Sequence, residues 1–244
     1  MVTRLENPPI RELVLDIRVT TPKSVVPESF STILNNFVKE YPNKKTIKAF
    51  ESEINLHSSG PMKQQAYLAG YLFSSADDVN LVQFRKNGMT VNRLGEYQNT
   101  SFESELEKAK TFWQIYKEVG LPITINRIAV RVINEISLPL GKSPLKYLSV
   151  MPQFAAINGL ELIEGFFNRQ NLVFKEALRA NLIVAYNGEK TEEDIKIILD
   201  IDAYKVLTSS IEETEMWDTF NMLNDLKNEI FVKSFTEEGW KRIK

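Results

Sequence analysis

Residues 10–20 read IRELVLDIRVT, a stretch in which apolar and polar side chains alternate. The apolar set is Leu13, Leu15, Ile17 and Val19, and the polar set opposite them is Glu12, Asp16 and Arg18. A period of two residues with one polar face is typical of a β-strand that is buried on one side only. The stretch therefore predicts that the chain opens on a half-buried strand.

A second stretch repeats this alternation half a chain later. Within a strand predicted at 122–138, Arg127, Arg131 and Glu135 share one face, and the opposite face is apolar except for Asn134. A buried amide needs hydrogen-bond partners. We therefore expect Asn134 to clamp a loop, with a ligand contact as the alternative.

The segment between these strands predicts a helix, a meander and a second helix. Residues 27–41 carry apolar side chains at helical spacing, and Pro42 ends that pattern. Meander strands are predicted at 46–57, 66–75, 79–85 and 89–94. The second helix begins at the capping box Thr100-Ser101-Phe102-Glu103 with Thr100 as the cap, and it ends at Gly120. Trp113 lies on its apolar stripe and is expected to be buried.

The same order of elements follows the second strand. Residues 143–149 predict a short helix, and strands are predicted at 161–169, 179–187 and 194–204. A last helix is predicted at 211–231, and residues after Phe235 are expected to be frayed.

This order predicts an α+β protein made of two tandem β-α-β-meander-α units, residues 1–120 and 121–244. Meanders form antiparallel sheets, and each long helix has an apolar face to bury against one. We expect the units to fuse into one curved antiparallel sheet with the long helices on its convex face, as in the TATA-binding-protein-like or helix-grip architecture. Two independent α+β domains are the alternative.

Composition excludes several classes of site. The 244 residues contain no cysteine and a single histidine, His57, so thiolate catalysis, zinc ribbons and sites with two imidazoles are excluded. A net charge of −2 argues against broad nucleic-acid binding. No apolar run is long enough for a transmembrane helix, and no signal peptide is evident, so we expect a cytoplasmic protein without a membrane partner. We expect His57 to close a strand and carry no chemistry.

The polar faces of three strands provide the candidate site. In a duplicated saddle the opening strands lie side by side, which would place Asp16 and Arg18 near Arg127 and Arg131. The strand at 194–204 adds Asp200 and Asp202 by the same parity. Forked guanidinium groups suit a charged groove that grips a partner or an anionic ligand. The structural alternative is a set of cross-strand salt bridges, such as Arg131 with Asp200.

A metal site is a further alternative. Asp16, Asp200 and Asp202 would be carboxylate ligands for Mg²⁺ in a phosphoryl-transfer enzyme or nuclease. The neighbouring arginines would compete for the same oxygens, and no nucleotide-binding or hydrolase motif occurs in the chain. The sequence therefore predicts no cofactor, no catalytic residue and no metal ligand.

Four motifs in order resemble a sporadically distributed family of prokaryotic proteins of unknown function. They are the opening NPPIRE at 7–12, the arginine–asparagine strand RIAVRVINEI at 127–136, the acidic strand LDID at 199–202, and a C-terminal ending at 230–236. A histidine is often seen before that ending, whereas this chain has Asn228 or a neighbour there. No role for that histidine is therefore transferred.

The sequence thus favours a non-catalytic binding or accessory protein that recognises a protein partner. The sporadic occurrence of the family that it resembles suits a defence or toxin–antitoxin component. Two alternatives stay open, the metal-assisted enzyme and a small-ligand receptor with a pocket between the sheet and the helices. A homo-oligomer also stays open.

Overall fold

A computed structural model describes residues 5–53, 63–95, 97, 100–120, 123–152 and 163–243. The fold is α+β and is built on one antiparallel sheet of nine strands. The strands are β1 Ile10–Thr20, β2 Asn43–Glu53, β3 Lys63–Ser74, β4 Asn80–Arg85, β5 Gly88–Leu94, β6 Thr124–Pro139, β7 Phe166–Val173, β8 Leu178–Tyr186 and β9 Asp194–Val206. The α-helices are α1 Phe102–Glu118, α2 Glu213–Lys233 and α3 Glu237–Ile243.

The two alternating strands that open the halves of the chain lie next to each other. The order across the sheet is β2-β3-β4-β5-β1-β6-β9-β8-β7. β1 and β6 are antiparallel, with Leu15 opposite Val130 and Arg18 opposite Arg127. Strands from both halves of the chain therefore share one sheet, and the junction between the halves lies near its middle.

The helices cover one face of this sheet. α2 packs against β6 and β9, and α1 packs against β5. The predicted stripe of α1 is confirmed, since Trp113 and Tyr116 are only 2% and 1% exposed. Tyr116 also donates its hydroxyl to the backbone carbonyl of Arg85 at 2.8 Å, which ties α1 to the end of β4. Among the described residues, no helix has both the length and the apolar character needed to cross a membrane.

The segment between β1 and β2 is not the helix that the sequence predicts. It forms two short 3-10 turns, Pro27–Phe30 and Asn35–Phe37. Its N–H groups donate mostly to carbonyls three residues earlier, as Ser31 does to Glu28 at 2.9 Å. Serine, threonine and asparagine are frequent in this segment, and their side chains compete for backbone hydrogen bonds and weaken an α-helix.

The residue predicted to cap α1 is also wrong by one position. The cap of α1 is Ser101, whose Oγ accepts a hydrogen bond from the N–H of Ser104 at 3.2 Å. Thr100 instead donates its hydroxyl to Glu105 Oε1 at 2.7 Å. The predicted short helix at 143–149 is reduced to the 3-10 turn Pro144–Lys146.

The C-terminal segment is ordered rather than frayed. α3 packs its Trp240 ring against Phe235, with the ring centroids 6.1 Å apart. Thr236 N–H donates to the carbonyl of Tyr147 at 3.0 Å. A Cβ at Gly239 would lie 1.9 Å from that same carbonyl oxygen, so glycine is what permits the close approach.

Candidate functional site on the uncovered face of the sheet

The structure brings the six predicted site residues together on one face of the central strands. Register places Arg18 opposite Arg127 across β1 and β6, and Arg131 opposite Asp202 across β6 and β9. This face points away from the side on which α1 and α2 pack, and no described helix lies on it. The predicted sharing of a face is therefore confirmed.

Asp16 is the acceptor at the centre of this cluster. Its carboxylate accepts from Arg127 Nη1 at 3.1 Å, from Arg85 Nη2 at 3.2 Å and from Arg18 Nε at 3.2 Å. Thr90 adds its hydroxyl at 2.9 Å. These contacts compensate for the burial of a carboxylate that is only 8% exposed.

Arg127 connects Asp16 to the neighbouring strand. Its Nη2 donates to both oxygens of Asp202, at 2.9 Å and 2.8 Å. The guanidinium also lies over the ring of Tyr204, 4.5 Å from the centroid. Asn181 donates its amide to Asp202 at 3.0 Å, which extends the network to β8.

Arg131 and Asp200 form a second, two-bond ion pair. Arg131 Nε and Nη2 donate to the two oxygens of Asp200 at 2.8 Å and 2.6 Å. The hydrogen bonds to the carboxylate of Asp200 raise the pKa of Arg131 above its ordinary value. The salt bridge that the sequence offered as a structural alternative is therefore present.

Two of the arginines in the network lie farther out than the carboxylates that they bind. The side chains of Arg18 and Arg131 are 59% and 43% exposed, whereas those of Asp16 and Asp200 are 11% and 8% exposed. Arg169 and Arg179 on β7 and β8 are exposed as well. Arg127 and Asp202 lie at the same depth, at 17% and 19% exposed. The guanidinium groups that reach the outer surface are therefore those of Arg18, Arg131, Arg169 and Arg179.

The same face carries exposed apolar side chains toward its β7 edge. Val173 lies opposite Arg179, which lies opposite Tyr204, and Phe167 lies opposite Ala185. Val173 and Phe167 are 72% and 70% exposed. Arginine, tyrosine and exposed apolar groups therefore occur side by side on this surface.

The carboxylates of the metal alternative are engaged by cations of the protein. Asp16, Asp200 and Asp202 each accept from at least one arginine. In the part of the chain that the structure describes, no group of three or more histidine or acidic side chains is placed to hold a metal ion. The carboxylates that the metal alternative would use are therefore bound by arginines in this structure.

Asn134 is fully buried on the helix side of the sheet, as its parity predicts. Its Nδ2 donates to the carbonyl of Leu199 at 3.0 Å. Leu199 belongs to the adjacent strand β9, so the predicted clamp holds a strand rather than a loop. His57 lies outside the described residues.

Sequence reasoning did not find Arg85, Thr90 and Asn181, which complete the network. Each lies on a strand that the pattern located, but the pattern does not say which residues face each other across strands. Comparison with known proteins finds no family model and no curated protein that matches the chain.

Proposed function

We propose that this protein is a non-catalytic binding protein that recognises an acidic surface on a protein partner through the uncovered face of its sheet. The observation that carries this proposal is the difference in depth between exposed arginines and buried carboxylates around Asp16 and Asp200. The exposed guanidinium groups of Arg18 and Arg131 give the surface of this face a positive charge. The carboxylates that pair with them lie deeper.

The composition of the face supports a protein as the partner. Arginine and aromatic side chains are enriched at the centres of protein interfaces. Phe167 and Val173 would be buried by a protein surface, whereas a phosphate backbone has little apolar area to offer them. The chain as a whole carries a net charge of −2, which also disfavours a polyanion as partner.

The network beneath would fix the arginines in place before binding. Arg127 is held by two carboxylates and one ring, and Arg131 is held by two hydrogen bonds. Donors that are ordered in the free protein lose less conformational entropy when they meet a partner. The salt bridges and the interface are therefore compatible roles of the same residues.

The test is affinity capture from the native host with charge-reversed baits. Arg179 lies on the face but forms none of the network contacts, so Arg179→Glu changes the charge of the face and leaves the network intact. Lys233 is exposed on α2, and Lys233→Glu is the matched control. We expect a protein with an acidic surface to be retained by the wild type and by Lys233→Glu, to be released by salt, and to be lost with Arg179→Glu. The purified partner should bind the Arg179→Glu variant about tenfold or more weakly than it binds the wild type.

Two results would overturn the proposal. One is a partner retained equally by Arg179→Glu and Lys233→Glu, since the face would then take no part in binding. The other is retention that disappears after nuclease treatment, which would identify a nucleic acid as the occupant.

We also propose that the chain is an internal duplication with a TATA-binding-protein-like arrangement. The strand order supports it, because β1 pairs with β5, the last strand of its own meander, and β6 pairs with β9, the last strand of its meander. The opening strands then pair antiparallel with each other. A two-fold axis between β1 and β6 would produce this order.

A further inference from the structure

A cavity of about 330 Å³ lies between the sheet and the helices, on the opposite side of the sheet from the arginine face. It is bounded by the start of β1, by β6, by the first turn of α1, by α2 and by Trp240 of α3. Its size falls at the lower end of the range for small-molecule sites. Pro9, Val132 and Phe231 contribute apolar wall.

The buried lysine Lys227 lines this cavity. Lys227 on α2 is 8% exposed, and among the described residues its ammonium forms neither an ion pair nor a side-chain hydrogen bond. Burial lowers the pKa of Lys227 to about 8, although Asp225 and Glu103 act in the opposite direction. A buried ammonium without a partner is costly to the fold, so its position in the cavity suits an anionic ligand.

Two buried acceptors without partners line the same cavity. They are Asn134 Oδ1 and Asn224 Oδ1, neither of which accepts a hydrogen bond from any described residue. Buried polar atoms are nearly always satisfied in folded proteins. Their lone pairs are therefore available to an N–H or O–H donor of a bound molecule.

The first turn of α1 adds a weak positive potential. Ser101, Phe102 and Glu103 line the cavity at the start of this 17-residue helix. The first N–H groups of a helix and its dipole favour a negative charge nearby. The carboxylate of Glu103 partly offsets that potential, which favours a monoanion over a phosphate dianion.

We propose that this cavity binds a small carboxylic acid that has an apolar body and at least one hydroxyl or N–H donor. The carboxylate pairs with the ammonium of Lys227, the donor reaches Asn134 or Asn224, and the body contacts the apolar wall. The site is separate from the arginine face and does not depend on the interface proposed there. The cavity lies between the sheet and the helices, which is where the small-ligand alternative from the sequence expects a pocket.

The test uses three hydroxy acids with different apolar bodies, each compared with its primary amide. The probes are 4-hydroxyphenylacetate, indole-3-lactate and 2-hydroxy-4-methylpentanoate, and binding is measured by titration calorimetry and by the rise in melting temperature. We expect at least one acid to bind the wild type and its neutral amide to bind about tenfold or more weakly. No binding by any of the acids, or equal binding of acid and amide, would overturn the proposal.

Two variants on the same helix separate ligand binding from a structural role. Lys227→Met keeps the length and apolar stem of the side chain but removes the charge, and Lys233→Met is its exposed control. We expect Lys227→Met to melt at the same or a higher temperature and to lose the acid, and Lys233→Met to bind as the wild type does. A Lys227→Met protein that still binds the acid, or that melts well below Lys233→Met, would show that the ammonium serves something other than this ligand.

Discussion

Arg131 reaches diagonally across the sheet to Asp200, although the residue directly opposite it on β9 is Asp202. Asp202 is bound instead by Arg127, which also donates to Asp16. Two arginines and three carboxylates are therefore paired across three strands. In this pairing each of the three carboxylates on the central strands is bound by at least one arginine.

We expect Arg127→Met to destabilise the fold far more than Arg18→Met. Both arginines donate to Asp16, but Arg127 is 17% exposed and also holds Asp202, whereas Arg18 is 59% exposed. Removal of the first leaves buried carboxylates short of a partner, at a cost of roughly 3 kcal/mol. Removal of the second should cost about 1 kcal/mol or less. Urea unfolding of the two variants measures the difference, and equal losses would contradict this account of the network.

Trp113→Ala should lower the free energy of unfolding by about 3–5 kcal/mol. The ring is 2% exposed and stacks on Tyr116 at a centroid distance of 5.6 Å. Trp217 on α2 is only partly buried, so Trp217→Ala is the matched comparison and should cost less. Thermal unfolding within a few degrees of the wild type for Trp113→Ala would mean that α1 does not bury this stripe.

The stability of the free protein should rise with pH above about 8 because of Lys227. Its pKa falls from 10.5 in an unfolded chain to about 8 in the fold, so between these values the unfolded chain binds the extra proton and folding gains free energy as pH increases. The full gain is roughly 3 kcal/mol. Among the described residues, Glu103 and Asp225 act on the ammonium, and Tyr97 lines the same cavity.

The check is urea unfolding at about pH 7 and about pH 10 for the wild type and Lys227→Met. The free energy of unfolding of Lys227→Met should increase less between these two pH values than that of the wild type, because the variant has no lysine to titrate at this position. A bound carboxylic acid would hold the proton on Lys227 and weaken the same rise. An identical pH dependence in both proteins would place the ammonium in water rather than in the cavity.

Gly239→Ala should detach α3 from the body of the protein. The added methyl would lie 1.9 Å from the carbonyl oxygen of Tyr147, which is backbone and cannot turn aside. Limited proteolysis should then remove the C-terminal segment faster than from the wild type. Lys241→Ala, on the exposed side of the same helix, is the control and should be cleaved at the wild-type rate.

Most strands were predictable because their signals are local, although the strand predicted at 161–169 is found as β7 at Phe166–Val173. The alternation at 10–20 gives β1 with its exact bounds, and Asn87-Gly88 gives the turn between β4 and β5. The helix predicted at 27–41 failed for a physical reason, since apolar spacing was counted while the cost of serine and asparagine in a helix was not. Local patterns therefore gave the sheet more reliably than the short turns around it.

The site was predictable only as a face. The alternation of side chains along the strands predicts that Arg127 and Asp16 lie on the same face of the sheet. It does not predict that Arg131 pairs with Asp200 rather than Asp202, because that depends on the register between β6 and β9. Lys227 did leave a signal, because it lies four residues after Leu223 and three before Ile230 and so falls on the buried stripe of α2. A lysine within an apolar stripe could have been singled out from the sequence.

The pairing of β1 with β6 also has a consequence for how the chain folds. The ion pair between Arg11 and Glu135 joins residues 124 positions apart, and Asp16 and Arg127 are 111 apart. Contacts between such distant residues form slowly, because a long loop must close before they contribute. During synthesis β1 emerges long before β6, so one of its edges stays without a partner until the second half of the chain is made. The pairing of β1 with β6 has the longest sequence separation of the described strand pairs, so we expect it to be the pairing most exposed to competition from mispaired strands during folding.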